Sequence, residues 1–154
     1  MERKNETVRY QALLQILRTA DILWNASHAF FARWNISPSQ FNVLNLLFDR
    51  PDGLSQIELG RQLIVHRSNV TGLVDRLERR RLVRRKNAQD DRRAYCVVLT
   101  PPGRRLIRAI LPEYYAMAQK VWGAFPAARA RQLAADLQTL FAQAEKLGPG
   151  KEPL

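Results

Sequence analysis

Hydrophobic and polar positions follow two different periods along this chain. From Val8 to about Trp34, residues Leu13, Leu14, Leu17, Leu23, Trp24, His28 and Phe31 recur at helical spacing over more than one face. The spacing predicts one long helix that needs more than one neighbour to cover it. Ser37-Pro38-Ser39-Gln40 then carries the marks of a helix start: Ser37 as N-cap, Pro38 at the first helical position and Gln40 closing a capping box. Ile36 and Phe41 are spaced as a hydrophobic staple, and Phe41, Leu44 and Phe48 mark the buried stripe before Pro51-Asp52-Gly53 ends the segment. Ser55 and Glu58 repeat the box, with Leu54 and Leu59 as staple and Leu59 and Leu63 facing the core. Gly60 between them leaves room for a close neighbour.

The next stretch, from His66 to Arg80, predicts a fourth helix. Val70, Leu73, Val74 and Leu77 fall in one narrow stripe at about 100° per residue. Ser68, Gly72, Asp75 and Arg79 face the other way, with Thr71 and Arg76 beside them. Two short helices joined by a tight turn, the second with a polar front, outline a helix-turn-helix.

After Leu82-Val83 the period changes to two. Arg84-Arg85-Lys86 leads to a polar tip at Asn87-Ala88-Gln89-Asp90-Asp91, and Arg93 to Leu99 alternates with Tyr95, Val97 and Leu99 on one side. This predicts a β-hairpin with a basic loop. Thr100-Pro101-Pro102 starts a fifth helix, which Pro112 is expected to kink. Phe125-Pro126 begins a sixth, with Leu133, Leu137, Leu140 and Phe141 as its apolar stripe.

The 154 residues suit one domain, or one domain with a small accessory layer, and the hydrophobic content of 46% supports a packed core. The net charge of +11 points to an anionic partner, nucleic acid or a membrane surface. The apolar run from Ile22 to Trp34 is interrupted by Asn25, Ser27, His28 and Arg33, which excludes a bilayer span. The charged start gives no signal core, and a cytoplasmic location is expected. The single Cys96, in a predicted strand, excludes an internal disulfide and is expected to be a buried, inert thiol. His28 and His66 without cysteine partners make no zinc site, and no cofactor or metal is expected. Asp90 and Asp91, adjacent at an exposed tip, lack the burial that acid–base work needs, and no phosphate loop or nucleophile elbow occurs. The chain does not read as an enzyme.

Helix, capped helix, helix-turn-helix, hairpin and two further helices, with VTGLVDRLERR and QDDRRAYCVVLTPPGR as the most specific stretches, resemble a MarR-type winged helix-turn-helix transcriptional regulator over nearly the whole chain. The implied fold is mainly α with a small β-hairpin wing (α+β). Residues 1–35 and 101–147 would be dimerisation helices, 36–100 the DNA-binding lobe, and 148–154 a frayed tail. The resemblance implies a homodimeric repressor of a palindromic operator, released by a small aromatic or phenolic effector bound between its dimerisation and DNA-binding layers. Four positions depart from the pattern. Ile64 stands at a turn position where glycine is frequent, His66 where a serine-type cap is usual, Arg81 where a glycine usually follows the helix, and Gly72 where arginine is frequent. The first helix holds no cysteine, unlike the family's peroxide-sensing branch.

Within that frame, Ser68, Asn69 and Thr71 are short side chains able to approach base edges, and bare Gly72 lets the backbone come close. Arg67, Arg76 and Arg79 on the helix, then Arg84, Arg85, Lys86, Arg92 and Arg93 on the hairpin, complete the expected DNA-binding set. Asp75 is an acid on the outward side of that helix, and the resemblance places Arg93 beside it as a pair that orients the wing. Trp24, His28 and Phe31 are candidates to line an effector pocket, against a plain dimer-core role. The rival reading is a non-specific architectural DNA-binding protein, which would share the charge but not the helix-plus-wing arrangement.

Overall fold

The computed structural model describes residues 2–63, 70–87 and 95–147, with side chains from residue 7 onward. The chain is mainly helical with one small antiparallel sheet. Its elements are α1 (Glu2–Ala32), α2 (Pro38–Phe48), β1 (Leu54–Ser55), α3 (Gln56–Gln62), α4 (Val70–Arg79), β2 (Val83–Asn87), β3 (Tyr95–Leu99), α5 (Pro101–Trp122) and α6 (Ala127–Ala144), followed by a short 3₁₀ turn (Glu145–Leu147). Two compact units result, Met1–Pro112 and Glu113–Leu154. Among the described residues no helix is long and apolar enough to cross a membrane.

In the first unit, local sequence sets the helix boundaries. The amide of Ser37 donates to Gln40 Oε1 (2.9 Å) and the Gln40 amide donates to Ser37 Oγ (3.2 Å), the expected box. Ser55 and Glu58 form the second, at 2.8 and 3.2 Å. Loss of such a cap costs about 1 kcal/mol. α1 ends before Trp34 because Asn35 adopts φ +54°, with the amides of Asn35 and Ile36 returning to the carbonyls of Ala32 and Phe31. That left-handed turn is tolerated by asparagine and swings Ile36 back into the core.

The core lies where α2, α3, α4 and the first half of α5 meet the sheet. Phe31 stacks on Phe41 (ring centroids 4.4 Å apart), with Leu44, Leu47, Leu59, Val74, Leu77, Ile107 and Ile110 buried as well. Phe48, expected in the stripe of α2, is half-buried and lies under the Arg104 guanidinium, which also donates to the Phe48 carbonyl (3.1 Å).

The sheet differs from the simple hairpin expected. It has three strands in the order β1-β3-β2, with Leu54 opposite Val97 and Val83 opposite Leu99. Because β3 is central and covered on both faces, Val97 and Val98 are both buried, whereas Tyr95 is 57% exposed. Cys96 is half-buried rather than buried. α5 starts by docking on the turn that leads into β2: Thr100 Oγ1 donates to the carbonyls of Arg81 and Leu82 and accepts from the Gly103 amide. A Cβ on Gly103 would stand 1.9 Å from the Leu82 oxygen, so only glycine fits there. Pro112 lies inside α5, which continues to Trp122.

In the second unit, α5 ends at Gly123 with φ +52°, and its amide donates to the Gln119 carbonyl. α6 has no buried residue, and its predicted stripe of Leu133, Leu137, Leu140 and Phe141 is exposed.

Candidate nucleic-acid interface

α4 has the division of faces that its sequence predicts. Val70, Leu73, Val74 and Leu77 are buried, while Thr71, Arg76 and Arg79 are exposed and Gly72 is half-buried. Burying the stripe fixes the rotation of the helix, and therefore which side chains face outward. Of the predicted DNA-binding residues, Arg67, Ser68 and Asn69 before the helix and Arg92 and Arg93 at the wing lie outside the described residues, as do Ile64, His66, Asp90, Asp91 and the tail.

The C-terminal end of α4 is a Schellman turn. Arg81 has φ +57°, its amide donates to the Glu78 carbonyl (2.8 Å), and the Leu82 amide reaches back to Leu77 (3.0 Å). This position, where glycine is usual, therefore keeps the glycine-type conformation with an arginine in it. The turn delivers Leu82 to the core and starts β2 at Val83, which is buried. Arg80, in the same turn, donates to the carbonyl of Asn35 at the end of α1.

Arg85 on β2 ties the wing to α4. Its amide donates to Glu78 Oε1 (2.8 Å), and its guanidinium bonds both Glu78 Oε2 and Asp75 Oδ1, the latter at 2.5 Å. The Asp75 hydrogen bond above all, then Glu78, holds the guanidinium above its ordinary pKa against the opposing effect of burial, so it remains a cation. The sequence assigns Arg85 to DNA, but its guanidinium is engaged by the two acids of α4. Asp75 has this partner irrespective of Arg93. Glu78 does not stand out in the sequence, although it lies three residues after Asp75 on the same flank of the helix. Arg84 is exposed and Lys86 half-buried on the same strand.

On α3, the side-chain and backbone hydrogen bonds from Ser55 hold the Glu58 carboxyl below the ordinary carboxylate range. A groove between α3 and α4 is lined by Gln56, Ile57, Gly60, Arg61, Val70 and Thr71. A second, lined by Asn35, Gln40, Arg76, Arg79 and Arg80, lies beside the other end of α4.

The candidate effector residues are not gathered into one pocket. Phe31 is 1% exposed and stacked in the core, whereas Trp24 and His28 pack edge to face on the exposed side of α1 (5.2 Å between centroids).

Residues 34–94, spanning α2 to the wing, match the model of the MarR family. The chain is 33% identical over 93 residues to the HTH-type transcriptional repressor YetL of Bacillus subtilis, which covers 60% of this chain and 56% of that one. It spans about half the length of the curated relatives it matches. CouR of Rhodococcus jostii RHA1, solved bound to p-coumaroyl-CoA, superposes with a TM-score of 0.76 at 25% identity, covering 82% of this chain and 88% of CouR. MepR of S. aureus, solved as a DNA complex, superposes at 0.73 and 22% identity, covering 87% and 97%. The lobe is thus similar in sequence to the MarR family, and more than four fifths of the chain is similar in fold to CouR and MepR.

Proposed function

We propose that this chain is a DNA-binding transcriptional regulator that acts as a homodimeric repressor at a palindromic operator in the cytoplasm. The observation that carries the reading is α4: one face is buried, the other ends in Arg76 and Arg79, and the basic strand β2 is latched beside it. The net charge of +11 fits a polyanionic partner. Ser68, Asn69, Thr71 and Gly72 would face base edges, Arg67, Arg76, Arg79, Arg84 and Lys86 the phosphates, and Arg92 and Arg93 would belong to the wing tip. No catalysis is assigned to the protein.

Dimerisation is supported by apolar surface that a monomer leaves wet. Leu13, Leu17, Ile22, Leu23 and Trp24 are exposed on α1, as are Leu133, Leu137, Leu140 and Phe141 on α6. Extended apolar patches of this kind mark interaction surfaces. The helices of 1–35 and 101–147 would then pair two copies and present two lobes to half-sites about 34 Å apart. An aromatic effector, of the class seen with CouR, would use Trp24 and His28 on α1.

Selection of bound duplexes from a random pool tests the reading. It is expected to return an inverted repeat, bound at least about 10³-fold more tightly than bulk DNA. Recovery of unrelated sequences would leave only the architectural alternative. Sedimentation of the protein as a monomer while it still binds tightly would remove the dimer.

A further inference from the structure

The three residues that follow α4 are bonded to both α1 and α5. Arg80 donates from its guanidinium to the carbonyl of Asn35, in the turn that ends α1. The carbonyls of Arg81 and Leu82 accept from Thr100 Oγ1 (2.6 and 3.0 Å), and the Leu82 carbonyl also accepts from the Thr100 amide (3.1 Å), just ahead of α5. Gly103, in the first turn of α5, lies against the same Leu82 carbonyl. The end of α4 is thus joined both to the end of α1 and to the start of α5.

Backbone conformation marks the same place. Among the described residues, the non-glycine residues in the left-handed region are Asn35 (φ +54°) and Arg81 (φ +57°). They stand at the two ends of the Arg80 bond: Asn35 supplies the acceptor, and Arg81 follows the donor in the chain. That conformation is unfavourable for a residue with a Cβ, and it persists where the surrounding structure holds it. Carbonyls at a helix C-terminus lack intrahelical partners, and an arginine is well suited to satisfy them. Arg80 is an exposed residue, yet its guanidinium bonds the protein's own backbone. It therefore belongs to the geometry of the lobe rather than to the basic surface of Arg76 and Arg79.

The joint sits where a small change has a long reach. α4 has ten residues and is about 15 Å long. A rotation of about 10° about its C-terminal end would move the other end by about 2.6 Å. That is close to the rise of one base pair, about 3.4 Å. Resting on the homodimer reading above, we propose that Arg80 is a positioning residue: its bond to the Asn35 carbonyl sets the angle of α4 to α1, and with it the half-site spacing that the dimer accepts. α1 carries that angle to the partner copy, since on the same reading its exposed apolar side chains form the dimer surface.

The test uses the half-site recovered from the random pool, rebuilt as inverted repeats whose spacers differ by one base pair. Affinity is measured against spacing for the unmodified full chain, Arg80→Gln, Arg80→Met and Arg79→Gln, with a salt slope at the best spacing and a melting curve for each. The unmodified protein is expected to prefer one spacing. In both Arg80 variants the preference over neighbouring spacings should fall by roughly two- to tenfold, the factor that the net contribution of one hydrogen bond represents, while the salt slope stays the same. Arg79→Gln should bind more weakly at every spacing and keep the preference. A slope flattened by about 0.9 in the Arg80 variants with the preference intact would make Arg80 a phosphate contact and overturn the proposal. A lower melting temperature with the preference intact, Arg80 variants that do not fold, or equal loosening in Arg79→Gln would also overturn it. In each of these cases a preferred spacing in the unmodified protein would leave the homodimer standing. No preferred spacing in the unmodified protein, or no inverted repeat from the pool, would overturn the homodimer reading, and this proposal with it.

Discussion

Asp75 on the outward side of α4 accepts a hydrogen bond from Arg85 on β2 at 2.5 Å, so an acid facing the predicted DNA side is neutralised by the wing. Glu78 binds the same guanidinium and the Arg85 amide. The side chains of Arg85 and Asp75 keep 28% and 48% of their exposure, so the pair contributes only about 0–1 kcal/mol to stability. Its consequence is geometric: the angle between α4 and the wing is held by three bonds to one residue.

Asp75→Asn is therefore expected to weaken DNA binding with little change in melting temperature, although it makes the protein more positive. Net charge alone predicts tighter binding. Operator affinities of Asp75→Asn, Arg85→Gln and the double variant would decide the matter. Strictly additive losses, or a gain for Asp75→Asn, would rule out a pair that acts as a unit.

The turn after α4 offers a stability test. Arg81 holds φ +57° with a side chain attached, which costs about 1 kcal/mol relative to glycine. Comparing Arg81→Gly with Arg81→Ala removes the charge from both and isolates the backbone. The glycine variant is expected to be the more stable by about 1 kcal/mol, read as a higher urea midpoint at unchanged slope.

Gly103→Ala should act in the opposite direction. The new methyl would overlap the Leu82 carbonyl, a backbone atom that cannot rotate away. Forced separation of α5 from the Leu82 strand start is expected to cost about 1–3 kcal/mol. At roughly 2–4 °C per kcal/mol for a chain of this size, thermal melting would show it clearly. A melting temperature equal to that of the unmodified protein would mean that α5 does not rest on Leu82.

The second capping box predicts a pH dependence. Ser55 lowers the Glu58 pKa in the folded state, so the ionised carboxylate stabilises the fold above its unfolded value of about 4.3. That contribution is lost as pH falls through the lower folded value. Glu58→Gln keeps an acceptor for the Ser55 amide but not the charge. The stability difference between the two proteins should be constant near neutrality and vanish in acid; a difference that persists in acid would point to shape rather than charge.

What is legible in the sequence is what local chemistry decides. Ser37 with Gln40, and Ser55 with Glu58, announce helix starts because both partners sit within four residues. The stripe from Val70 to Leu77 is legible because one helix face is buried by a single core. The two-residue strand β1 is not, since it exists only through pairing with β3. For the same reason the alternation expected from Tyr95 to Leu99 fails at Val98, which a central strand buries on its second face. Arg85 as partner of Asp75 is hidden because nothing in a run of basic residues distinguishes the one that turns inward. Trp24, His28 and Phe31 share a helical spacing, yet Phe31 joins the core while the other two stay exposed.

That short strand also bears on how the lobe folds. Pairing Leu54 with Val97 joins positions far apart in the chain, whereas Asn87 and Tyr95 are close together in sequence. Closing the longer loop costs more chain entropy and gains only two residue pairs. The hairpin and the self-capped helices are thus expected to nucleate the lobe, and β1 to zip on last. By the same reasoning it opens first, and the backbone amides that pair β1 with β3 should exchange faster than those that pair β2 with β3.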